Sequence, residues 1–209
     1  DGVKAPVPAK GNLQLQLAYD VSPGTNGSRG WRKGDWVAVA STSFSPWETE
    51  FVKLASDAVK DTDGTKTIGS TITIENGVNS TPGLQYYHFG GADPGPPSSA
   101  NYTADSTTNY GVDERAEVGL ISRSIKLTSD APLTGAANHW GGEMKFLSGF
   151  KEVSIQGVEL EKFGKEQLGS YPIHFHMDGR VSNATTLVNA NSIHHSYNKC
   201  MTVHSTKHL

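Results

Sequence analysis

Two short segments near the C-terminus hold residues able to do chemistry. Tyr171-Pro-Ile-His-Phe-His176 places imidazoles at positions 174 and 176, and a carboxylate follows at Asp178. Successive side chains of a strand point to opposite faces. An extended segment would therefore set His174, His176 and Asp178 on one face and Ile173 and Phe175 on the other. Cys200-Met-Thr-Val-His204 repeats the pattern. Laid under Pro172–His176, it puts Met201 and Val203 beneath Ile173 and Phe175, Thr202 beneath His174, and His204 beneath His176. Stacked strands lie about 4.8 Å apart, so the two imidazoles would be neighbours. The expected arrangement keeps Phe175 and Val203 inside and turns His174, His176, Asp178 and His204 to solvent.

Three chemistries are open to such a cluster. Neutral imidazoles with a carboxylate suit Zn or another first-row divalent ion, with His174, His176 and His204 as ligands. A histidine tuned near neutral pH beside Asp178 and Arg180 could serve as a general acid or base. A solvated ladder of hydrogen-bonded histidines would do neither. A cupin-like HxH site would need a Glu at short downstream spacing, which this sequence lacks. His194 and His195 are adjacent, so only one of them can share a face with the cluster.

A second constellation is Asp113-Glu-Arg-Ala-Glu117. Asp113, Glu114 and Glu117 around Arg115 read first as structural ion pairs. Carboxylates at a strand edge could instead bind Ca²⁺ or act as the acid and base of glycoside hydrolysis. A third feature is aromatic: Tyr86, Tyr87, His88 and Trp140 offer flat faces on which sugar rings could stack. Trp31, Trp36 and Trp47 are expected to pack within the fold.

The elements that must position these groups are strands. Short alternating runs such as Leu13–Leu17, Trp36–Val39, Thr71–Ile74 and Val153–Ile155 are punctuated by Gly, Asn, Asp and Pro. Helical spacing occurs only weakly, over Trp47–Lys60. Residues 90–111 are too polar and Pro-rich for a strand. Gly157–Gly164 is echoed by Asn191–Asn198, and a strand-turn-strand unit repeated with Asn and Gly at its corners suggests a parallel β-helix. The chain halts at Leu209 soon after a strand, so a further segment or another chain is expected to cover the C-terminal coil.

Composition narrows the function classes. The 209 residues include 18 Lys+Arg against 21 Asp+Glu, a net charge of −3, which gives no basic field for nucleic acid. Apolar runs such as Trp36–Ala40 are far short of a membrane span of about 20 residues. One cysteine excludes an internal disulfide framework. Four glycosylation sequons, at Asn26, Asn79, Asn101 and Asn183, suit an extracellular or cell-surface chain.

Several blocks in order resemble a known extracellular family. They are residues 31–42 (WRKGDWVAVAST), 84–90 (LQYYHFG), 113–119 (DERAEVG) and 157–164 (GVELEKFG). Tyr171–His176, with Ser192–His195 and Thr202–His204 after it, completes the set. Together they are similar to the eight-glycine-domain, right-handed β-helix proteins, the family of hyaluronan-binding and hyaluronidase proteins with fibrocystin-like receptors as distant members. The resemblance implies an extracellular all-β chain. The end of an eight-glycine-like domain would occupy residues 1–60 and pack on a right-handed parallel β-helix at 61–209. It implies a glycosaminoglycan-like polysaccharide as partner. The reading is thus binding or hydrolytic depolymerisation along the β-helix, through His174, His176, Asp178 and His204. Arg180, Tyr86, Tyr87, His88 and Trp140 would hold the chain, and a divalent ion, Zn or Ca, could assist. The rival is a non-catalytic structural or binding module of a larger surface protein.

Overall fold

The computed structural model describes residues 3–4, 13–24, 29–64, 66–75, 83–90, 115–130, 132, 139–182 and 185–209. All regular elements among them are strands, apart from one turn of 3-10 helix at Pro46–Glu48. Two compact units divide at Leu120/Ile121, sixty residues beyond the boundary expected from the sequence. Asn26, Asn79, Asn101 and Asn183, Asp113 and Glu114, and nearly all of residues 90–111 lie outside the described residues.

The first unit is antiparallel. One sheet runs in the order β1 (Val3–Lys4), β2 (Gln14–Leu17), β6 (Lys66–Thr73), β5 (Val59–Asp63); the other runs β4 (Glu50–Lys53), β3 (Trp36–Val39), β7 (Val118–Leu120). Alternation decides which side chains go inside. Leu15 and Leu17, Val37 and Val39, Val52, Ile72 and Val118 all bury into one core with Trp31, Leu54, Ile74 and Leu84. Beyond the 3-10 turn at its start, the span Trp47–Lys60 is not helical: Phe51 and Val52 face opposite sides of β4 and only Val52 is buried. Trp36 and Trp47 are exposed, Trp47 at 88%; Trp31 alone of these three packs inside. The turn before β3 is set by Asp35, whose buried carboxylate accepts from both Arg29 terminal nitrogens (2.8 and 2.6 Å) and from the Arg32 N–H (2.8 Å).

The second unit is a parallel β-helix with three strands to a turn. Its first coil holds β8 (Ile125–Thr128), β9 (Met144–Leu147) and β10 (Val153–Gln156). The next holds β11 (Val158–Glu161), β12 (Ile173–Arg180) and β13 (Thr186–Asn189), and the last β14 (Ser192–His194) and β15 (Met201–Lys207). Like stacks on like, giving three sheets: β14-β11-β8, β15-β12-β9 and β10-β13. The interior is Val153, Leu160, Ile173 and Phe175, with Met144, Phe146, Phe150, Ile155, Val158, Phe163, Val188 and Ile193 against them.

Corners repeat as faithfully as strands. Lys162 (φ 56°) and His195 (φ 49°) follow the paired Glu161 and His194. Met177 (φ 56°) and Ser205 (φ 50°) follow the paired His176 and His204. Non-glycine residues in this left-handed region cost roughly 1–2 kcal/mol each, so their recurrence marks a required corner after β11 and β14 and a required bulge within β12 and β15. Asn191 ties one corner: its Oδ1 accepts from the Val158 N–H (3.0 Å) and its Nδ2 donates to the Ile155 carbonyl (2.8 Å). The echo of Gly157–Gly164 is present in kind. Its register pairs Glu159 with Ser192, so Gly157 matches Ala190 and not Asn191. At Gly141 the coils touch: a β-carbon there would collide with the Lys162 carbonyl oxygen.

Candidate functional site

The central strand β12 carries the first cluster. Its register against β9 and β15 forms two rows across the outer face, Lys145–His174–Thr202 and Leu147–His176–His204. Ile173 and Phe175 are fully buried beneath, as alternation requires. His204 Nδ1 lies 3.2 Å from His176 Nδ1, and the His176 ring stands 4.9 Å from that of His174. One nitrogen of each of the three imidazoles falls within 4.8 Å of the others.

Three expectations about these strands are corrected. His174 is only 3% exposed, because the chain leading into β12 folds over it. Tyr171 meets its ring edge-on at 4.9 Å, and its Nδ1 lies 3.0 Å from the Gly169 carbonyl oxygen. A carbonyl only accepts, so Nδ1 carries the proton and Nε2 keeps its lone pair. Asp178 is also buried and stands apart from the histidines. Met177 in the left-handed region shifts the register after His176, so the two-residue alternation does not reach Asp178. Its Oδ2 accepts instead from the Thr206 hydroxyl at 3.1 Å, and its Oδ1 is buried without a hydrogen bond. Val203, expected inside, is 47% exposed: β15 is the edge of its sheet, and no described strand lies beyond it.

The other sequence candidates divide. Arg180 is exposed on β12, paired in register with Lys207. Tyr86 and Tyr87 are exposed, and so is Trp140, with the Lys165 ammonium 5.3 Å from its ring centre. His88 cannot stack on a sugar. It is wholly buried, its Nδ1 2.8 Å from the Ala40 carbonyl oxygen and its Nε2 2.9 Å from Glu50 Oε1. Of the acidic constellation, Glu117 is exposed and Arg115 half-buried.

Sequence reasoning missed a second cluster, on the sheet β14-β11-β8. The Lys126 ammonium bridges Glu159 Oε1 (2.8 Å) and Glu161 Oε2 (3.0 Å). His194 Nε2 lies 3.1 Å from Glu159 Oε1, and His194 Nδ1 lies 2.7 Å from His195 Nδ1. Glu161, His194 and His195 also bring one ligand atom each within 4.8 Å of the others. The visible clue was Glu159-Leu-Glu161 over Ser192-Ile-His194, but alternation alone does not foresee a left-handed corner at His195.

Both clusters perturb protonation. Burial is the main cause that holds His174 below the ordinary imidazole value, with repulsion from His176, Lys145 and His204 adding to it against the Gly169 carbonyl. Burial first, then His194, lowers His195. Burial pushes Glu159 and Glu161 up. The Lys126 ammonium outweighs it in both, helped by the Arg123 N–H and His194 at Glu159 and by Thr128 at Glu161, and both end below the usual carboxylate range. A depressed folded pKa, on a histidine or a carboxylate, gives stability that is complete above the unfolded pKa and lost as pH falls through the folded one. Stability should therefore fall in two windows on acidification, first below about pH 6.5 and again below about pH 4.3. Urea midpoints measured with a chelator present would show it. A flat or rising midpoint between about pH 7 and about pH 5 would contradict it.

A parallel β-helix with convergent histidines on its outer faces defines the class of protein. Residues 139–209 match the family model of the CEMIP β-helix. The chain is 31% identical over 200 residues to mouse "Cell migration-inducing and hyaluronan-binding protein", covering 87% of this chain and 12% of that protein. It is 30% identical over 211 residues to human "Cell surface hyaluronidase CEMIP2", covering 94% of this chain and 13% of that one. A "G8 domain-containing protein" of Dictyostelium discoideum is 30% identical over 133 residues, 63% of this chain and 10% of its own length. The chain is CEMIP-like along most of its length, and its C-terminal coils match the CEMIP β-helix. It spans about an eighth of the length of the first two relatives. No helix among the described residues is long and apolar enough to cross a membrane.

Proposed function

We propose that this chain binds a hyaluronan-like glycosaminoglycan at the cell surface or outside the cell, along the outer face of β9, β12 and β15, and that His174, His176 and His204 cut it there. The observation that carries the reading is the convergence of these three imidazoles on stacked strands beside the cations Lys145, Arg180 and Lys207. A polyanion needs such cations along its path. Hyaluronan itself is suggested by the names of the relatives.

The geometry favours a divalent ion over a free acid–base pair. His174 is kept neutral, and its Nδ1–H on the Gly169 carbonyl fixes the ring as second-sphere bonds do at metal sites. When bound, such an ion polarises a water molecule into a nucleophile near neutral pH. Hydrolysis would add a water oxygen to the anomeric carbon, break the bond to the bridging oxygen and deliver a proton to the leaving oxygen. His176 and His204, nearer the surface than His174, would hold such an ion at the sugar or, as an acid–base pair without it, carry the proton. Outside this sheet, Trp140 with Lys165, and Tyr86 with Tyr87, are exposed places for sugar rings.

The test incubates the purified chain and His176→Ala with hyaluronan and with chondroitin, following polymer length and metal content together. His176→Ala should slow cleavage about 10²–10⁴-fold and release the metal. It should cost less than about 1 kcal/mol of stability, because the imidazole packs little. Cleavage that survives complete removal of metal, but fails in His176→Ala, would replace the metal with an acid–base pair. Binding without cleavage would make the chain a recognition module, and no binding of either polymer overturns the reading.

A further inference from the structure

The cluster on the neighbouring sheet has the same chemistry and no part in the reaction above. We propose that Glu161, His194 and His195 form a second binding site for a first-row divalent transition metal, distinct from the His174–His176–His204 face.

Three features of the geometry point to this. The first is convergence: three ligand atoms lie within 4.8 Å of one another, drawn from the paired strands β11 and β14. Adjacent residues of a strand normally diverge. Here the left-handed backbone of His195 (φ 49°) turns its ring back, so that the two Nδ1 atoms come within 2.7 Å. Two ring nitrogens that close must share either one proton or one cation.

The second is orientation. His194 Nε2 lies 3.1 Å from Glu159 Oε1, and that carboxylate accepts the proton, leaving Nδ1 with the lone pair. The resulting order, carboxylate then imidazole then a lone pair turned toward His195, is how metal-binding histidines are fixed. Glu159 is itself held by Lys126 (2.8 Å) and by the Arg123 N–H (3.1 Å). Lys126 and the Thr128 hydroxyl both engage Oε2 of Glu161, which makes Oε1 the ligand atom.

The third is the donor set. Two imidazoles and one carboxylate select Zn²⁺ and its first-row neighbours over Ca²⁺ or Mg²⁺, which prefer oxygen donors.

The test measures Zn²⁺ bound per chain by equilibrium dialysis in a His176→Ala/His204→Ala background, where the first face cannot contribute. That protein should retain about one Zn²⁺ per chain. Adding His195→Asn, which tolerates the left-handed backbone, should abolish this binding. Glu159→Gln should weaken it about 10–100-fold without touching a ligand atom. Circular dichroism confirms the fold of each variant. If the background does not fold, the single His195→Asn substitution must lower the wild-type stoichiometry by about one. No Zn²⁺ in the folded background, or binding indifferent to His195→Asn, overturns the proposal. Loss of metal from the first face alone leaves this site standing, so the two readings fail separately.

Discussion

Phe175→Ala should destabilise the β-helix unit by about 3–5 kcal/mol, the range for truncating a fully buried aromatic. Phe175 has no solvent exposure, and it sits at the centre of a stack. The Phe146 ring of the coil before lies parallel at 4.8 Å and the Phe150 ring edge-on at 6.1 Å. Beneath it in register is Val203, half-exposed at the sheet edge. A cavity there is walled by strands whose hydrogen bonds fix their spacing, so the site cannot collapse to fill it. The local consequence matters as much. His174 and His176 flank Phe175 in sequence and take their spacing from the straightness of β12. Loss of the ring should therefore blur the histidine cluster before the coil unfolds. Urea unfolding measures the first effect, and histidine ring resonances measure the second. A cost under about 1 kcal/mol would mean that Phe175 is not the interior of the coil.

Why this strand was legible and others were not follows from period and burial. Ile173 and Phe175 alternate with histidines, and the offset between residues 173–176 and 201–204 can be read by laying one segment on the other; the pairing is Ile173 with Met201 through His176 with His204. The reading failed at the third step of the same alternation. Met177 adopts a left-handed backbone, so Asp178 leaves the histidine row and turns to Thr206. His174 eluded it for another reason: alternation gives the face of a residue, not what covers that face, and the cover here is the segment through Gly169 and Tyr171. The acidic pair Glu159 and Glu161 was overlooked because its partners, Lys126 and His194, lie one coil to either side. The division falls later than residue 60 because β6 pairs antiparallel with the N-terminal strands β2 and β5.

His88 shows the cost of judging an aromatic cluster by residue type. His88→Ala should destabilise the antiparallel unit by about 2–4 kcal/mol while leaving any sugar contact of Tyr86 and Tyr87 to fail only as a consequence. The imidazole is sealed from solvent, with the Ala40 carbonyl at one nitrogen and Glu50 at the other. Glu50 does more than hold His88. Its carboxylate accepts from the Gln85 N–H (3.0 and 2.8 Å) and the Tyr86 N–H (2.9 Å), pinning the segment that presents both tyrosines. Removing the ring orphans the Ala40 carbonyl and one side of that carboxylate, and it leaves a void where the imidazole is sealed from solvent. Both losses act on stability, whereas an exposed platform residue costs almost nothing when truncated. The two roles therefore separate in one pair of measurements. His88→Ala should lower the denaturant midpoint of the chain and Tyr87→Ala should not. Tyr87→Ala alone should weaken polysaccharide binding at a temperature where both variants are folded. Weakened binding by a fully folded His88→Ala protein, with an unchanged midpoint, would restore His88 to the binding surface and refute its structural role.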